Sequence, residues 1–272
     1  MVIDRRFSIA PMMDCSDRHL RFFLRLFSEH ILLYTEMITA AAVLHGDRDR
    51  LLGFNKEEHP LGVQLGGSDP EQLYRAARIC EEYGYDEINL NCGCPSDRVQ
   101  SGSFGACLMK DPGLVADCVA AMKSATSLPV TVKHRTGIDQ QDEYDTFAGF
   151  ASTQVEAGAD ALIVHARNAW LQGLSPKQNR EVPPLKYDWV YRLKRDLPGH
   201  QIIINGGIKT LDACCDHLRQ VDGVMLGREP YQNPYLLHNV DQVIFDHPVT
   251  EIPSRITMLH LSLIHISEPT RR

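Results

Sequence analysis

Two asparagines, two cysteines and a glycine–proline turn close the stretch Tyr85-Asp-Glu-Ile-Asn-Leu-Asn-Cys-Gly-Cys-Pro-Ser-Asp-Arg98. Asn89 and Asn91 carry amides that both donate and accept hydrogen bonds, and Cys92 and Cys94 carry thiols able to give up a proton. Glu87 to Leu90 reads as a buried strand, so these groups fall where a strand opens into a loop, which is where α/β folds put their chemistry. A Cys-Gly-Cys taken alone is better explained by packing, since free cysteine behaves mostly as a small buried hydrophobe. Other positions must decide between the two.

The elements that would position these groups recur along the chain. Apolar runs at Phe7–Met12, Ile31–Glu36, Leu61–Leu65, Glu87–Asn91, Pro129–Lys133, Ala161–His165, Gln201–Asn205 and Gly223–Gly227 read as eight strands. Helical stretches with start signals separate them: Ser68-Asp69-Pro70 precedes Glu71–Tyr83, and Asp111-Pro112 precedes Leu114–Ser124, where an Asp cap and a first-turn proline match helix entry. Eight near-continuous apolar strands alternating with helices predict a TIM (β/α)8 barrel, because parallel strands covered on both faces lose the half-polar alternation. A doubly wound sheet is the structural alternative.

The strand ends are polar: Pro11-Met12, Glu36, Gln64, Asn89 and Asn91, Lys133 and Arg135, His165 and Arg167, Asn205-Gly206-Gly207, and Gly227-Arg228. In a barrel the carboxyl ends of all strands share one mouth, so these scattered positions become one concave site. Glycines after strands seven and eight, with Arg228 beside them, suit a phosphate held by backbone N–H groups and a guanidinium. No P-loop or G-x-G-x-x-G occurs elsewhere, which argues against a separate dinucleotide domain.

Bulk properties narrow the class further. The chain has 272 residues, a formal net charge of −7 and eight cysteines. It has neither the layout of a signal peptide nor an apolar run long enough to span a bilayer, so a cytoplasmic protein with reduced thiols and no membrane partner is expected. Cys92-x-Cys94 and Cys214-Cys215 lack the paired spacing of structural zinc, and no metal is expected. The negative balance argues mildly against nucleic acid, but charge is unevenly spread. Gly137–Asp160 holds six acidic residues and no Lys or Arg, whereas His165–Arg195 carries Arg167, Lys177, Arg180, Lys186, Arg192, Lys194 and Arg195 against Glu181 and Asp188. Residues 168–186 form a long loop after strand six with Trp170 and several cations, and long loops at a barrel mouth are usually functional.

Together, Ala10-Pro-Met12, Tyr34-Thr-Glu-Met37, Gln64-Leu-Gly-Gly67, Asn89 to Ser96, Val132-Lys133, His165-Ala-Arg167, Asn205-Gly-Gly207 and Gly227-Arg228 resemble the tRNA-dihydrouridine synthases. The run Gly173 to Pro184 resembles the A subfamily in particular, and the likeness covers about residues 5 to 250 in order. The resemblance implies an FMN-binding TIM barrel, reduced by NADPH, that saturates the C5=C6 bond of uridine in the tRNA D-loop. It implies Cys94 as the acid that protonates C5; an ordinary thiol, with a pKa of about 8.5, is mostly protonated near neutrality and suits that role. Asn91 would contact the uracil. Pro11, Met12, Met13, Gln64, Lys133 and His165 would contact the flavin, with Asn205, Gly206, Gly207, Gly227 and Arg228 around its phosphate. Arg98, Lys177 and Arg180 are candidate tRNA contacts, and no obligate protein partner is implied.

The resemblance also divides the chain into a catalytic barrel over residues 1–248 and the start of a C-terminal helical region over 249–272. The family continues into a helical domain that clamps tRNA. Leu261 to Arg272 follows neither the preceding composition nor a capping pattern, and reads as a non-native end. Cys92 stands where the family more often has an aliphatic residue and reads as a packed thiol. Two other functions stay open on the sequence: an FMN barrel acting on a free pyrimidine, against which the basic 168–186 loop argues, and a fragment that binds flavin or RNA without efficient turnover.

Overall fold

A computed structural model describes residues 3–96, 102, 104–247 and 254–267, with side chains described as far as 263. Eight strands, β1 Phe7–Ile9, β2 Leu33–Thr39, β3 Leu61–Gly66, β4 Glu87–Cys92, β5 Val130–Arg135, β6 Ala161–His165, β7 Gln201–Asn205 and β8 Gly223–Leu226, lie parallel in the order β1-β8-β7-β6-β5-β4-β3-β2. The two ends of that order meet. Ser8 bridges Leu32, with Ile9 N donating to Leu32 O at 2.9 Å and Leu32 N to Phe7 O at 3.1 Å, so the sheet closes on itself. The expected TIM (β/α)8 barrel is the fold.

Both faces of each strand are covered, but by different chemistry. Ile88, Leu90 and Cys92 of β4 point into the large apolar layer between strands and helices, while Glu87, Asn89 and Asn91 alternate with them and bond inside the barrel. A smaller apolar cluster of Ile3, Ala10, Leu32, Tyr34, Ala161, Ile163, Ile203 and Met225 fills the rest of the interior. Gly62 on β3 makes room for this filling: a Cβ there would sit 2.6 Å from Tyr34 Cε1. The outer helices begin as their sequence signals predict. Asp69 accepts from Glu71 N at 2.9 Å and Gln72 N at 3.2 Å to cap Pro70–Glu82, and Asp111 accepts from Leu114 N at 3.0 Å to cap Pro112–Ala125. Each such cap contributes about 1 kcal/mol.

Three boundaries differ from the sequence reading. β1 stops at Ile9, because Pro11 has no N–H for the ladder and the chain turns at Met12, whose carbonyl accepts from Cys15 N and Ser16 N. β2 starts at Leu33 and runs on to Thr39, with a register shift against β3 between Tyr34 and Met37. Leu261 to Ser267 belong to a helix that starts at Arg255, so this segment's cap lies upstream: Ser254 Oγ accepts from Thr257 N at 3.1 Å. Met258 of this helix is buried, while Ile256, Leu259, Leu261 and Leu263 are exposed. Among the described residues no helix is long and apolar enough to cross a membrane.

Candidate active site

Parallel strands bring their carboxyl ends to one mouth, and the register pairs Gln64 with Asn89, Asn91 with Lys133, Arg135 with His165, and His165 with Asn205. The amides there bond in series. Gln64 Nε2 donates to Asn89 Oδ1 at 2.8 Å, Asn91 Nδ2 donates to Gln64 Oε1 at 2.7 Å, and Asn91 Oδ1 accepts from the backbone N–H groups of Gly93 and Cys94, both at 3.1 Å. Asn91 therefore holds the start of the loop that carries Cys94. The Cys94 thiol is half-buried, 3.4 Å from Ser96 Oγ. Cys92 is fully buried, and burial pushes its thiol well above the usual range, with Cys118 and Cys107 adding to the effect. The two cysteines have separated into one that faces the mouth and one packed between strand and helix.

Across the opening, Lys133 Nζ donates to Asn205 Oδ1 at 3.1 Å, and Asn205 Nδ2 donates to Met225 O at 2.7 Å. Burial, followed by the charge of Arg135, lowers the Lys133 ammonium to about 7. The same causes, with Lys133, Arg167 and Arg180 contributing, hold His165 well below the ordinary histidine range, so it is neutral at physiological pH. Arg135 is lowered to about 10, first by burial and then by Arg180 and Arg167, against an opposing pull from Cys94. Burial and neighbouring cations also lower Arg167 and Arg180. Lys133, Arg135, Arg167, Arg180 and Arg228 thus lie close enough together at this mouth to disfavour one another's charge, and such a cluster of cations attracts anions. Glu181 does pair with Arg228, at 2.6 Å.

Much of the basic charge that the sequence shows between His165 and Arg195 is used elsewhere. Lys186 pairs with Asp142 and lies 3.9 Å from the Trp189 ring centroid, Lys194 pairs with Asp222 at 2.8 Å, and Arg192 stacks on Tyr144. Arg167, Lys177 and Arg180 remain near the opening. Lys177 and Arg180 are exposed, and Arg180 lies within electrostatic range of Cys94 and Cys15. Arg98 lies outside the described residues.

The glycines after β7 have a packing reason as well as a ligand reason. Gly206 has φ +112 and a Cβ there would meet His165 Cδ2 at 2.6 Å; Gly207, φ +74, would meet Leu185 Cδ1 at 2.8 Å and Tyr187 Oη at 2.9 Å. Tyr187 Oη donates to Gly206 O at 2.6 Å and fixes the turn. Gly227, after β8, lies beside the segment that follows β1: a Cβ there would be 3.8 Å from Ala10 Cβ and from Met12 Sδ, in ordinary van der Waals contact without a clash. Met12 therefore lies beside Gly227, and Met13, the next residue, is half exposed.

Arg135 and Asn179 also organise the mouth, although the sequence reading assigned them no such role. Arg135 Nε donates to Gly93 O at 3.0 Å and its Nη1 to Asn179 O at 3.0 Å, tying the Cys94 loop to the 168–186 loop. Asn179 is fully buried; its side chain accepts from Trp170 N at 2.7 Å and donates to Trp170 O at 2.9 Å and Leu174 O at 3.1 Å. An Arg at a strand end was a visible signal; a loop asparagine folding back on its own loop was not. Among the described residues no group of three or more His, Cys, Asp or Glu side chains is arranged to hold a metal.

With this geometry in hand, the family model described as dihydrouridine synthase matches residues 8–269. The chain belongs to the dihydrouridine synthase family. It is 61% identical over 243 residues to a protein of Xanthomonas campestris pv. campestris named tRNA-dihydrouridine(20/20a) synthase, covering 89% of this chain and 72% of that one. A Synechocystis protein of the same name is 56% identical over 264 residues, 97% of this chain and 79% of the relative. One from Shewanella oneidensis is 60% identical over 242 residues, 89% and 72% of the two chains. The matched region runs from within β1 past β8 and includes the carboxyl ends of all eight strands.

Proposed function

We propose that this enzyme reduces uridine to 5,6-dihydrouridine in the D-loop of tRNA, at the positions 20/20a in its relatives' name, with FMN as bound cofactor and NADPH as reductant. The observation that carries the reading is the pairing of a half-buried Cys94 thiol, held through Asn91, with a cation-rich opening across the same barrel mouth. The residues present suit FMN. Crowded cations call for an anion, Gly227 leaves space a Cβ would fill, and Arg167 Nε is buried without a partner. Asn205, Gly206, Gly207, Gly227 and Arg228 would hold the phosphate, while Pro11, Met12, Met13, Gln64, Lys133 and His165 would face the ring.

The chemistry that bound, reduced FMN would supply here is hydride transfer to C6 of the uracil. The protein's own part is acid catalysis and placement. Cys94 gives its thiol proton to C5, so hydride and proton together saturate the C5=C6 bond. Asn91 would bind the uracil edge, and Lys133, already near its own titration point, would hold a proton on the side facing the flavin ring. A base inside folded tRNA must be extruded to reach this mouth, and Arg98, Lys177 and Arg180 would grip the RNA outside it. Residues 1–248 form the catalytic barrel in this reading, and 249–272 begin a helical region that adjoins it. The cytoplasm, where tRNA and NADPH meet reduced thiols, is the expected compartment.

The test is dihydrouridine formed on unmodified tRNA, compared with free uridine and dihydroorotate, together with the visible spectrum of the purified protein. A yellow protein active on tRNA alone is expected; reduction of the free pyrimidines instead would overturn the substrate assignment. Cys94→Ala should keep flavin and its reduction by NADPH while losing at least about a hundredfold in turnover on tRNA, the size of a general-acid contribution. Full turnover in that variant would remove Cys94 from the mechanism.

A further inference from the structure

The amides of the mouth continue downward into the barrel. Asn89 Nδ2 donates to Thr131 Oγ1 at 2.9 Å, and Thr131 Oγ1 donates to Glu87 Oε1 at 2.6 Å. Glu87 is fully buried; its Oε1 also accepts from Tyr34 Oη at 2.5 Å, and its Oε2 accepts from Arg5 Nε at 2.7 Å. Read upward, the path is Arg5, Glu87, Thr131, Asn89, Gln64, Asn91 and the backbone N–H groups of Gly93 and Cys94.

Every link has one allowed direction. A carboxylate ion-paired to Arg5 can only accept. Thr131 has one hydroxyl proton, which goes to Glu87, so toward Asn89 it can only accept. Asn89 must then present Nδ2 to Thr131 and Oδ1 to Gln64; Gln64 must present Nε2 to Asn89 and Oε1 to Asn91; Asn91 must present Nδ2 to Gln64 and Oδ1 to the loop. The upper end agrees, because backbone N–H groups only donate. Turning any one amide over would set two donors or two acceptors face to face inside a buried network, where each mismatch is costly.

We infer that Glu87, with Arg5 and Thr131, is a positioning element for the active site: a buried ion pair at the barrel floor fixes which way the Gln64 and Asn91 amides face at the mouth and thereby pins the Cys94 loop. This rests on the reading of the mouth as the reaction site, and it names a function for residues that touch neither cofactor nor substrate. The orientation leaves the second N–H of Gln64 and of Asn91 beyond the series, so the mouth offers donors to a ligand's carbonyl oxygens.

The test uses three variants of the full chain, first without flavin or RNA. Thr131→Val cuts the path and leaves the Arg5–Glu87 pair intact; Thr131→Ser restores the hydroxyl; Glu87→Gln, whose amide must turn its NH2 toward Thr131 once its oxygen faces Arg5, inverts the lower end. Side-chain amide NMR signals of Gln64 and Asn91, and hydrogen exchange of the Gly93 and Cys94 amides, are the readouts. Thr131→Val and Glu87→Gln should broaden or shift those signals and speed exchange of the Cys94 amide by about tenfold, with Thr131→Ser like the wild type. Adding Arg5→Met to Glu87→Gln frees the new amide to offer its oxygen to Thr131 and should restore the wild-type signals. Unchanged mouth signals in Thr131→Val, or no recovery in Arg5→Met/Glu87→Gln, would overturn the inference. Flavin affinity and tRNA turnover are then measured on the same proteins. A wild type that binds no flavin would refute the functional reading while leaving the amide result to stand on its own.

Discussion

Replacing Lys133 by Met tests the electrostatics of the mouth directly. The ammonium is buried beside Arg135 and lowered from 10.5 to about 7, so carrying its charge in the folded, ligand-free state is unfavourable. A displacement of roughly three and a half units corresponds to about 5 kcal/mol at most. Below pH 7 both folded and unfolded chains are protonated at Lys133, and the folded state bears the whole cost. As pH rises from 7 toward 10.5 the folded protein has lost this proton while the unfolded chain still holds it, so wild-type stability gains with pH. Lys133→Met removes that dependence and keeps the apolar stem. Flavin-free Lys133→Met should therefore be the more stable protein at pH 6, by at most about 5 kcal/mol and less for the lost bond to Asn205, and its advantage should shrink by up to about 1.4 kcal/mol for each pH unit between 7 and 9. Urea unfolding of the two proteins between pH 6 and 9 measures the difference, and His165, common to both, largely cancels. An advantage that is flat or grows with pH would refute a lysine titrating near 7. If the mouth holds FMN as proposed, the same linkage should give wild type, but not the variant, a tighter hold on its reduced form as pH falls through 7.

Lys177→Ala combined with Arg180→Ala should weaken tRNA binding and flatten its log–log salt dependence by about 1 to 2, at unchanged flavin content; filter binding across a salt series reads both. Gly206→Ala puts a Cβ against His165 at a φ of +112 and should cost about 1 to 3 kcal/mol, seen as a lower melting temperature and loss of flavin on purification. Cys92→Ala, by contrast, should cost about 1 kcal/mol by leaving a small void and should keep turnover on tRNA near that of wild type; a loss as large as that of Cys94→Ala would mean the two thiols share the chemistry.

The strands were legible because their lengths and apolar content leave few alternatives, and the helix starts because Asp69 and Asp111 act within three residues of themselves. Boundaries were less so. β2 runs past Glu36 because β3 offers it a ladder after a register shift, and the last helix is set by Ser254, upstream of the segment whose composition looked foreign. Glu87 shows the difficulty at the site. In sequence it is the polar first residue of an apolar strand; only β5, β2 and the N-terminal segment, folded around it, turn it into the carboxylate that Arg5, Tyr34 and Thr131 share.

By itself the sequence determined the eight-strand barrel, the gathering of polar strand ends at one mouth and the family to which the chain belongs. Those follow from local periodicity, short-range capping and motif order, all of which are written along the chain. Tertiary structure alone decided that Lys186, Lys194 and Arg192 are occupied elsewhere, and that Arg135 and Asn179 join two loops. It also decided the direction of the amides from Glu87 to Cys94. Such properties depend on which partners a buried group meets, and those partners lie tens of residues away and come together only when the barrel closes.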